Sequence, residues 1–426
     1  MEIIKKQHPI TNSVLKQDVS KIELLSPAGD MERLVAAVQY GADAVYLGGT
    51  QFGMRTAPPN FNFDSLSEAV QFAHNNAVRV YLTCNALPHN NEIADFPAFI
   101  TQAADCGIDA VIAADFGVIS LIKKYAPGLE IHASTQMGIV NSATALALFD
   151  MGVRRIIVAR ELSLSEIAQI RAQTPKELEI EAFVHGAMCV SFSGRCLLSQ
   201  YFTGRDANKG ECAQPCRWEY RQVTDGSWSG PVVDITEDGG GTYIMNARDL
   251  CMIEHIDKLA SAGINSFKIE GRAKSAYYVS VITNAYRAAL DYFYRENTLD
   301  GMPEWIFKEV LQVSHREYST GFYFGAPTQN YKSGGYIKGC DVVGIVDCCR
   351  DGILYGTQRN KFLSGDELEI LAPNSSPITV KIDRLFNEKG DEIQSAPHAM
   401  MKFSFPCESE FPKGAAMRNL YRPPKA

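Results

Sequence analysis

The chain has 426 residues, of which 46% are hydrophobic and 21% are charged, and its formal net charge is -8 at pH 7. This composition is typical of a globular protein, and the length exceeds what one hydrophobic core normally supports, so we expect one large domain and a smaller one. No stretch approaches the roughly 18 apolar residues of a membrane span. The N-terminal residues also lack the apolar core of a secretory signal, so we expect a cytoplasmic protein with no membrane partner. An acidic chain excludes a generally basic surface, so any nucleic acid must be bound by a local patch.

The first 300 residues alternate short apolar runs with amphipathic stretches. The apolar runs predict eight strands, at 22–29, 42–49, 79–87, 109–115, 129–135, 154–161, 178–186 and 266–272. Helical patterns lie between them at 31–41, 65–76, 142–152 and 163–173, with Asp30 and Ser163 as N-caps and Gly41 and Gly152 as terminators. Such alternation predicts parallel strands joined by right-handed crossovers, and eight units predict an α/β fold, a closed (β/α)8 TIM-like barrel. A doubly wound open sheet is the alternative.

The pattern changes after residue 296. A helix is predicted at 303–317, followed by a connector rich in Gly, Tyr and Ser and then by short alternating runs separated by turn signals. These runs predict a compact all-β barrel that binds RNA or braces the main barrel. The predicted organisation is an N-terminal arm at 1–20, the barrel at 21–296 with a cysteine-rich insertion at 187–245, a helix and connector at 297–337, and the C-terminal β-barrel domain at 338–426.

Polar side chains follow several of the predicted strands. Barrel active sites form at the carboxyl ends of the strands, so residues at those ends are candidates for catalysis. The selected candidates, which include one residue inside the seventh strand, are His132, Arg160, Glu161, Glu181, His185, Glu270 and Arg272. For Arg272 and Glu270 the alternative is an ion pair at the barrel rim, and for Glu181 it is an internal strand contact.

Four of the eleven cysteines lie in the long segment after the seventh strand. Cys189, Cys196, Cys212 and Cys216 have the spacing C-x6-C-x15-C-x3-C. In a reducing compartment such a cluster indicates metal ligands or catalysts rather than disulfides. Zinc sites favour two close cysteine pairs, whereas a cubane offers separate corner irons, so the spacing favours an iron–sulfur cluster over zinc. Four unligated buried cysteines remain the alternative.

The other cysteines have no ligand spacing. Cys251 competes as a fourth ligand, but its apolar neighbours at helical spacing favour a place in the core. The remaining six are interpreted as packing residues: Cys84, Cys106, Cys340, Cys348, Cys349 and Cys407.

Residues 181–199 carry the signature E-x-F-x2-G-[SA]-[LIVM]-C-x4-G-x-C-x-[LIVM]-S, matched at all ten fixed positions. With ELLSPAGDMERLVAAVQYGADAVYLGG near the start, HASTQ at 132–136 and FKIEGRAKSAYYV at 267–279, most of the chain resembles the collagenase-like peptidase family U-32. Among its branches, CLLSQYFTGRD followed by GECAQPCRWEY is most similar to the tRNA hydroxylation proteins.

This resemblance implies formation of 5-hydroxyuridine at the tRNA wobble position without molecular oxygen, with prephenate as the hydroxyl donor. Related branches hydroxylate a ribosomal RNA cytidine or the ubiquinone ring, and the ubiquinone branch holds an iron–sulfur cluster. Carried onto this chain, a 4Fe-4S cluster would be held by Cys189, Cys196 and Cys212 with Cys216 as the fourth ligand. The ubiquinone branch takes its last cysteine from a position nearer Cys251.

The hydroxylase hypothesis assigns a role to each group of candidates. Arg160 or Arg272 would pair with a carboxylate of the donor, His185 and His132 would transfer protons, and Glu181 would orient one of them. An unstacked base would contact the aromatic and cationic residues around the cysteines. These RNA-binding candidates, which equally suit a hydrophobic cover over a cluster, are Tyr201, Arg205, Arg217, Trp218 and Arg221.

Two other functions stay open. A peptidase could use Cys189 or Cys196 with His185, although the chain has neither an H-E-x-x-H motif nor a G-x-S-x-G elbow and the other thiols would be unexplained. A cluster-bearing subunit could instead hydroxylate another RNA or a quinone precursor. The expected partners are tRNA and either a paralogous family member or a second copy of the chain.

Overall fold

The computed structural model describes residues 21–54, 59–218, 246–330 and 335–420. The predicted N-terminal arm at 1–20, part of the insertion and the RNA-binding candidate Arg221 therefore lie outside the described residues.

Eight parallel strands form a closed barrel, which confirms the predicted (β/α)8 fold. Strands β1 to β7 pair in chain order, and β9 pairs with both β7 and β1 to close the ring. The first ten strands are β1 (Glu23–Pro27), β2 (Ala44–Gly48), β3 (Arg79–Cys84), β4 (Ala110–Ala113), β5 (Glu130–Ala133), β6 (Arg155–Ile157), β7 (Glu179–Gly186), β8 (Asp249–Cys251), β9 (Ser266–Ile269) and β10 (Tyr318–Ser319).

Helices connect most of the strands, and the four predicted between the first seven strands begin within two residues of the predicted positions. The Asp30 side chain accepts a hydrogen bond from the Arg33 N–H at 3.0 Å, and Ser163 caps the seventh helix together with Glu166. The helices are α1 (Met31–Gln39), α2 (Phe63–Asn75), α3 (Asn90–Ile93), α4 (Phe96–Asp105), α5 (Phe116–Tyr125), α6 (Ser142–Asp150), α7 (Leu164–Ala172), α8 (Leu198–Thr203), α9 (Ile256–Ser261), α10 (Ala276–Glu296) and α11 (Glu304–Val310). None of them, within the described ranges, is both long and apolar enough to cross a bilayer.

The segment 246–263 corrects one prediction, because it is not a single helix. Its first part is strand β8, which runs antiparallel to β7, and β10 pairs with β8 in turn. Asp249 at the start of β8 is buried and accepts hydrogen bonds from Arg316, both from its backbone N–H at 3.1 Å and from its guanidinium at 3.0 Å. The helix predicted at 303–317 is also shorter than expected, since α11 ends at Val310 and Arg316 lies beyond it in the pair with Asp249.

The C-terminal residues form an antiparallel all-β half-barrel, which agrees with the predicted all-β architecture. The strands are β11 (Cys340–Arg350), β12 (Ile353–Gln358), β13 (Phe362–Leu363), β14 (Glu367–Leu371), β15 (Ile378–Lys381), β16 (Leu385–Asn387), β17 (Glu392–Ile393), β18 (Ser395–Ala396), β19 (Lys402–Pro406) and β20 (Ala416–Leu420). Eight of them form one sheet in the order β15-β14-β20-β11-β12-β19-β16-β17, and β13 pairs with β18. The inner face packs a hydrophobic core that includes Leu354, Phe403 and Phe405.

Buried polar contacts join the half-barrel to the barrel. The Arg418 guanidinium on β20 lies 2.5 Å from Glu309 of α11 and 2.6 Å from Glu369 of β14, and both Arg418 and Glu309 are almost fully buried. The Tyr40 hydroxyl donates to the Leu371 carbonyl at 2.8 Å. The stability of an ion pair as buried as this one depends on its geometry, so the pair fixes how the half-barrel packs against the barrel.

Candidate functional site

A cavity of about 430 Å³ opens at the carboxyl ends of the barrel strands. Its floor includes Tyr46, Thr83, Phe183 and Lys268, and one side is formed by the segment that follows β7. Active sites of this fold are built from these strand ends and the loops after them, so this cavity is the candidate active site.

All four predicted cysteine ligands line this cavity, namely Cys189, Cys196, Cys212 and Cys216. Backbone N–H groups donate to three of the sulfurs: Ser191 to Cys189 at 3.4 Å, Leu198 to Cys196 at 3.3 Å and Gln214 to Cys212 at 3.3 Å. Hydrogen bonds to cysteine sulfurs are among the protein contacts that tune iron–sulfur clusters.

The two halves of the cysteine segment are tied together. Ser199, the last residue of the signature, is fully buried, and its hydroxyl accepts a hydrogen bond from the Ala213 N–H at 3.0 Å. The contact links the helix after Cys196 to the residue after Cys212. Lys209 anchors the same segment to α3 through an ion pair with Glu92 at 3.0 Å.

The thiols are close enough to influence one another. Burial raises the pKa of the Cys216 thiol, Arg217 opposes that change, and Cys189, Cys212 and Cys196 raise the pKa further. Over the described ranges, no three Cys, His, Asp or Glu side chains are already arranged to hold a metal ion. The donor set, four thiols with backbone donors to three of them, nevertheless has the chemistry of a soft-metal or iron–sulfur site.

Arg160 and Glu270 meet at the rim of the cavity. The Arg160 guanidinium lies 3.3 Å from the Glu270 carboxylate, donates to the Ala187 carbonyl at 3.0 Å and stacks on the Phe183 ring at 3.8 Å. Arg160 therefore connects the end of β6 to the beginning of the cysteine segment, two residues before Cys189.

Arg272 lies across the opposite side of the cavity. It is almost fully buried and donates to the Thr83 hydroxyl at 2.8 Å and to the Asn60 side chain at 2.6 Å. The guanidinium lies directly over Gly48, where a Cβ atom would come within 2.7 Å of its central carbon. Glycine at position 48 is what allows Arg272 to reach this place.

A layer of buried charges lies directly beneath the cavity. Arg155 is 2.5 Å from Glu23 and 3.2 Å from Glu181, and the Lys268 ammonium is 2.7 Å from Glu181. Burial would raise the pKa of Glu23, but Arg155 and Arg79 outweigh it and hold this pKa at about 2. The charges of the four central groups cancel, since two are carboxylates (Glu23 and Glu181) and two are cations (Arg155 and Lys268).

Two predicted catalytic residues belong to this layer and not to the rim. Glu181 is engaged by Lys268 and Arg155, so it does not orient a histidine. His132 lies inside β5, its Nε2 is 3.1 Å from Glu130, and burial together with Arg155 lowers its pKa. Neither residue lines the cavity, and the residues that do so nearest to His132 are Ser134, Thr135 and Gln136, just beyond β5.

His185 also departs from its predicted position. A bulge in the pairing between Phe183 and His185 turns the imidazole away from the cavity and toward α10. Its Nδ1 lies 3.4 Å from the Tyr286 hydroxyl and its Nε2 lies 3.3 Å from the Tyr318 hydroxyl. Burial, with His315 and Lys274, lowers the pKa of His185 to about 3, so it is neutral near pH 7.

Glu161 supports the cysteine segment instead of facing the main cavity. Its carboxylate accepts hydrogen bonds from the Ser193 N–H at 2.6 Å and from the Ser193 hydroxyl at 2.9 Å. It lines a second cavity of about 410 Å³ that shares Cys189 with the first. Its geometry indicates that Glu161 positions the turn leading to Cys196.

The described RNA-binding candidates surround the thiols. Tyr201 is 82% exposed and Trp218 is 40% exposed, and Phe202 contacts both rings. Arg205 and Arg217 line the cavity itself. Exposed aromatic rings next to arginines are the groups that stack and hold unpaired nucleotides.

Two family models match the chain. Residues 29–333 match peptidase family U32, and residues 338–418 match the peptidase family U32 C-terminal domain. The chain belongs to peptidase family U32. The resemblance predicted from residues 181–199 is therefore confirmed.

Relatives of this U32 chain carry names of two kinds. It is 34% identical over 405 residues to tRNA hydroxylation protein P1 of Bacillus subtilis (strain 168), covering 93% of this chain and 94% of that protein. It is 36% identical over 311 residues to the 23S rRNA 5-hydroxycytidine C2501 synthase of Escherichia coli (strain K12), covering 72% and 46%. It is 32% identical over 386 residues to a protein named collagenase of Porphyromonas gingivalis (strain ATCC BAA-308 / W83), covering 86% and 91%.

Among the cysteines of this U32 chain, Cys251 is the one whose predicted setting was wrong. It lies in strand β8 and not in a helix, and it does not line the cavity. Burial raises the pKa of its thiol to about 12, which suits a packing residue. Cys216 therefore remains the better candidate for a fourth ligand.

Sequence reasoning missed Lys268 as a cavity residue of the U32 barrel. Lys268, Glu270 and Arg272 alternate along the chain at and just beyond β9, and all three line the cavity. Alternate residues of a strand share one face, so the position of Glu270 was a signal for Lys268 as well.

Proposed function

We propose that this U32 chain is an RNA-modifying hydroxylase that acts on tRNA and forms 5-hydroxyuridine at the wobble position. The observation that carries the proposal is that four thiols line the same cavity as the cationic side chains of Arg160, Lys268 and Arg272. The names of the relatives, a tRNA hydroxylation protein and a hydroxycytidine synthase, support RNA as the substrate.

In this proposal Cys189, Cys196, Cys212 and Cys216 hold a 4Fe-4S cluster. The N–H donors to three of the sulfurs and the shared cavity support this ligand set. When bound, such a cluster supplies single-electron chemistry that amino acid side chains do not provide. The chain's own contribution is to keep these thiols in one wall of the cavity, through the Ser199 and Glu161 contacts.

The oxygen transfer must balance. Replacing the C5–H bond of uridine with C5–OH removes two electrons from the base. With prephenate as the donor, as the family resemblance implies, a C–O bond of the donor breaks and its oxygen passes to C5. The donor carbon gains the two electrons and the proton that the base loses, so molecular oxygen is not required.

The cationic groups of the cavity suit a donor that carries carboxylates. Arg160 and Arg272 each present a planar guanidinium in the wall, and arginine pairs with carboxylates through two parallel hydrogen bonds. Both are already positioned by neighbours, Arg160 by Glu270 and Arg272 by Thr83 and Asn60. A preorganised arginine loses little side-chain entropy when the ligand binds.

Proteolysis has less support from the geometry. The thiol–imidazole pair it would need is not assembled, since His185 packs between Tyr286 and Tyr318 behind β7. Among the described residues, no histidine lines the cavity.

The test is anaerobic purification followed by iron, sulfide and zinc analysis and a tRNA assay. We expect about four irons and four sulfides per chain, as the cubane requires. We also expect 5-hydroxyuridine by mass spectrometry of digested tRNA when the purified chain is given prephenate, without a paralogous partner.

Cys189→Ala and Cys216→Ala should lose both iron and product. Cys106→Ala and Cys251→Ala should keep both, since neither thiol lines the cavity and the Cys106 thiol donates to the Phe63 carbonyl at 3.5 Å. One zinc per chain without sulfide, or full product formation by Cys216→Ala, would contradict the proposal.

A further inference from the structure

The outer face of the C-terminal sheet carries a row of side chains that the cavity does not use. Tyr355 on β12 lies opposite Ser404 on β19, and Ser404 lies opposite Phe386 on β16. Directly opposite residues share one face of a sheet. Their neighbours Leu354 and Phe405 are fully buried in the core, so Tyr355 and Phe386 face outward.

The spacing of this row leaves room between the two rings. Neighbouring strands are about 4.8 Å apart, so Tyr355 and Phe386 are separated by about 10 Å across β19. The residue between them is the small Ser404, which is partly exposed. Tyr355 and Phe386 therefore lie on either side of a small residue on the same face of the sheet.

Cationic groups accompany both rings. The Arg350 guanidinium lies 5.8 Å from the centre of the Tyr355 ring, and the Arg384 guanidinium lies 4.9 Å from the centre of the Phe386 ring. Arg384 also pairs with Glu392 at 2.7 Å. Aromatic rings flanked by arginines are what single-stranded nucleic acids bind, because bases stack on the rings and the cations approach the backbone.

The row also lies near the mouth of the barrel. Just beyond the end of β12, the Arg359 guanidinium lies 2.9 Å from Glu32 in the first turn of α1. Because α1 follows β1, its first turn is at the same end of the barrel as the cavity. Tyr355 is four residues from Arg359, or about 13 Å along the strand.

We propose that this outer sheet face (Arg350, Tyr355, Arg384, Phe386 and Ser404) binds a single-stranded segment of the RNA substrate by base stacking. The inference rests on the proposed function for its choice of RNA, and it adds a contact outside the cavity. The outer sheet face therefore contributes to affinity for whole tRNA and takes no part in the chemistry.

The test uses the full chain and unmodified tRNA. The dissociation constant is measured by filter binding at one fixed salt concentration for wild type, Tyr355→Ala, Phe386→Ala and the double variant. Stacking on one aromatic ring changes affinity by roughly fivefold to 100-fold, so each single variant should bind tRNA at least about fivefold more weakly and the double variant more weakly still. Leu363→Ala is the matched control, since Leu363 is a 44% exposed apolar residue in the separate β13–β18 pair.

Product formation is measured separately with saturating tRNA, where the double variant should reach the wild-type rate. The inference is overturned if the double variant binds tRNA within twofold of wild type, or if wild type does not bind tRNA. Wild type that binds tRNA but forms no 5-hydroxyuridine would refute the proposed chemistry, while the binding comparison would still decide the role of the outer sheet face.

Discussion

Lys268→Met tests the balance of charges beneath the cavity. The Lys268 side chain is 5% exposed, and its ammonium lies 2.7 Å from Glu181, whose side chain is fully buried. With Glu23 and Arg155 the layer holds two carboxylates and two cations, so the methionine leaves one excess negative charge. Removing one partner of a buried ion pair costs about 3–5 kcal/mol. Because Arg155 remains 3.2 Å from Glu181, we expect a loss of about 3 kcal/mol in the free energy of unfolding.

Urea unfolding of wild type, Lys268→Met, Glu181→Gln and the double variant measures this effect. The double variant removes one charge of each sign, so it should be more stable than the sum of the singles by about 2 kcal/mol. Lys274→Met is the control, since its ammonium at the rim donates to the Ser314 carbonyl at 3.1 Å, lies over the Tyr336 and Tyr278 rings and pairs with no carboxylate among the described residues. It should contribute about 1–2 kcal/mol, less than Lys268. A Lys268→Met variant within about 0.5 kcal/mol of wild type, or additive singles, would refute the argument.

Three further predictions concern the rim, the junction and pH. Gly48→Ala should displace the Arg272 guanidinium. Because the proposed carboxylate donor then loses a charge-assisted hydrogen bond from Arg272, its KM should rise about tenfold or more. Unchanged steady-state kinetics would contradict this. Arg418→Met leaves the buried Glu309 carboxylate without its cation and should lower the free energy of unfolding, measured in urea, by about 3–5 kcal/mol. Arg418→Lys should restore part of that free energy. For His185, whose folded pKa is about 3, the unfolded state binds more protons between pH 6.5 and 3. Wild type should therefore lose about 1 kcal/mol from this residue between pH 7 and 5.5, a loss that His185→Gln should lack in unfolding curves at the two pH values.

The barrel could be predicted because its strands are short, almost wholly apolar runs. Parallel strands that are buried on both faces have continuous apolar sequences of this kind. The helices between them begin at capping residues such as Asp30 and Ser163. The segment 246–263 could not be predicted from its own pattern. Leu250 and Ile253 are three residues apart, a spacing compatible with a helix, but pairing with the end of β7 and the buried pair of Asp249 with Arg316 make residues 249–251 a strand.

The site was predictable where it depends on sequence order and not where it depends on side-chain direction. Cys189, Arg160 and Arg272 follow strand ends, and chain order alone brings them to the cavity. His185 also sits at a strand end, but the bulge after Phe183 reverses the alternation and sends it behind the sheet. A bulge arises from pairing between strands, so one strand's sequence does not reveal it.

The wall shared by the thiols and the arginines has a thermodynamic consequence. Arg160 donates a hydrogen bond to the Ala187 carbonyl, two residues before Cys189. A ligand that binds the cysteines and orders this stretch would therefore also order the Arg160 guanidinium, which is a candidate to bind a carboxylate. By thermodynamic linkage, each of the two ligands then increases the binding affinity for the other by the same factor. In the proposed function the group that the cysteines bind is an iron–sulfur cluster, so iron limitation would weaken binding of the proposed carboxylate donor as well as remove the redox centre.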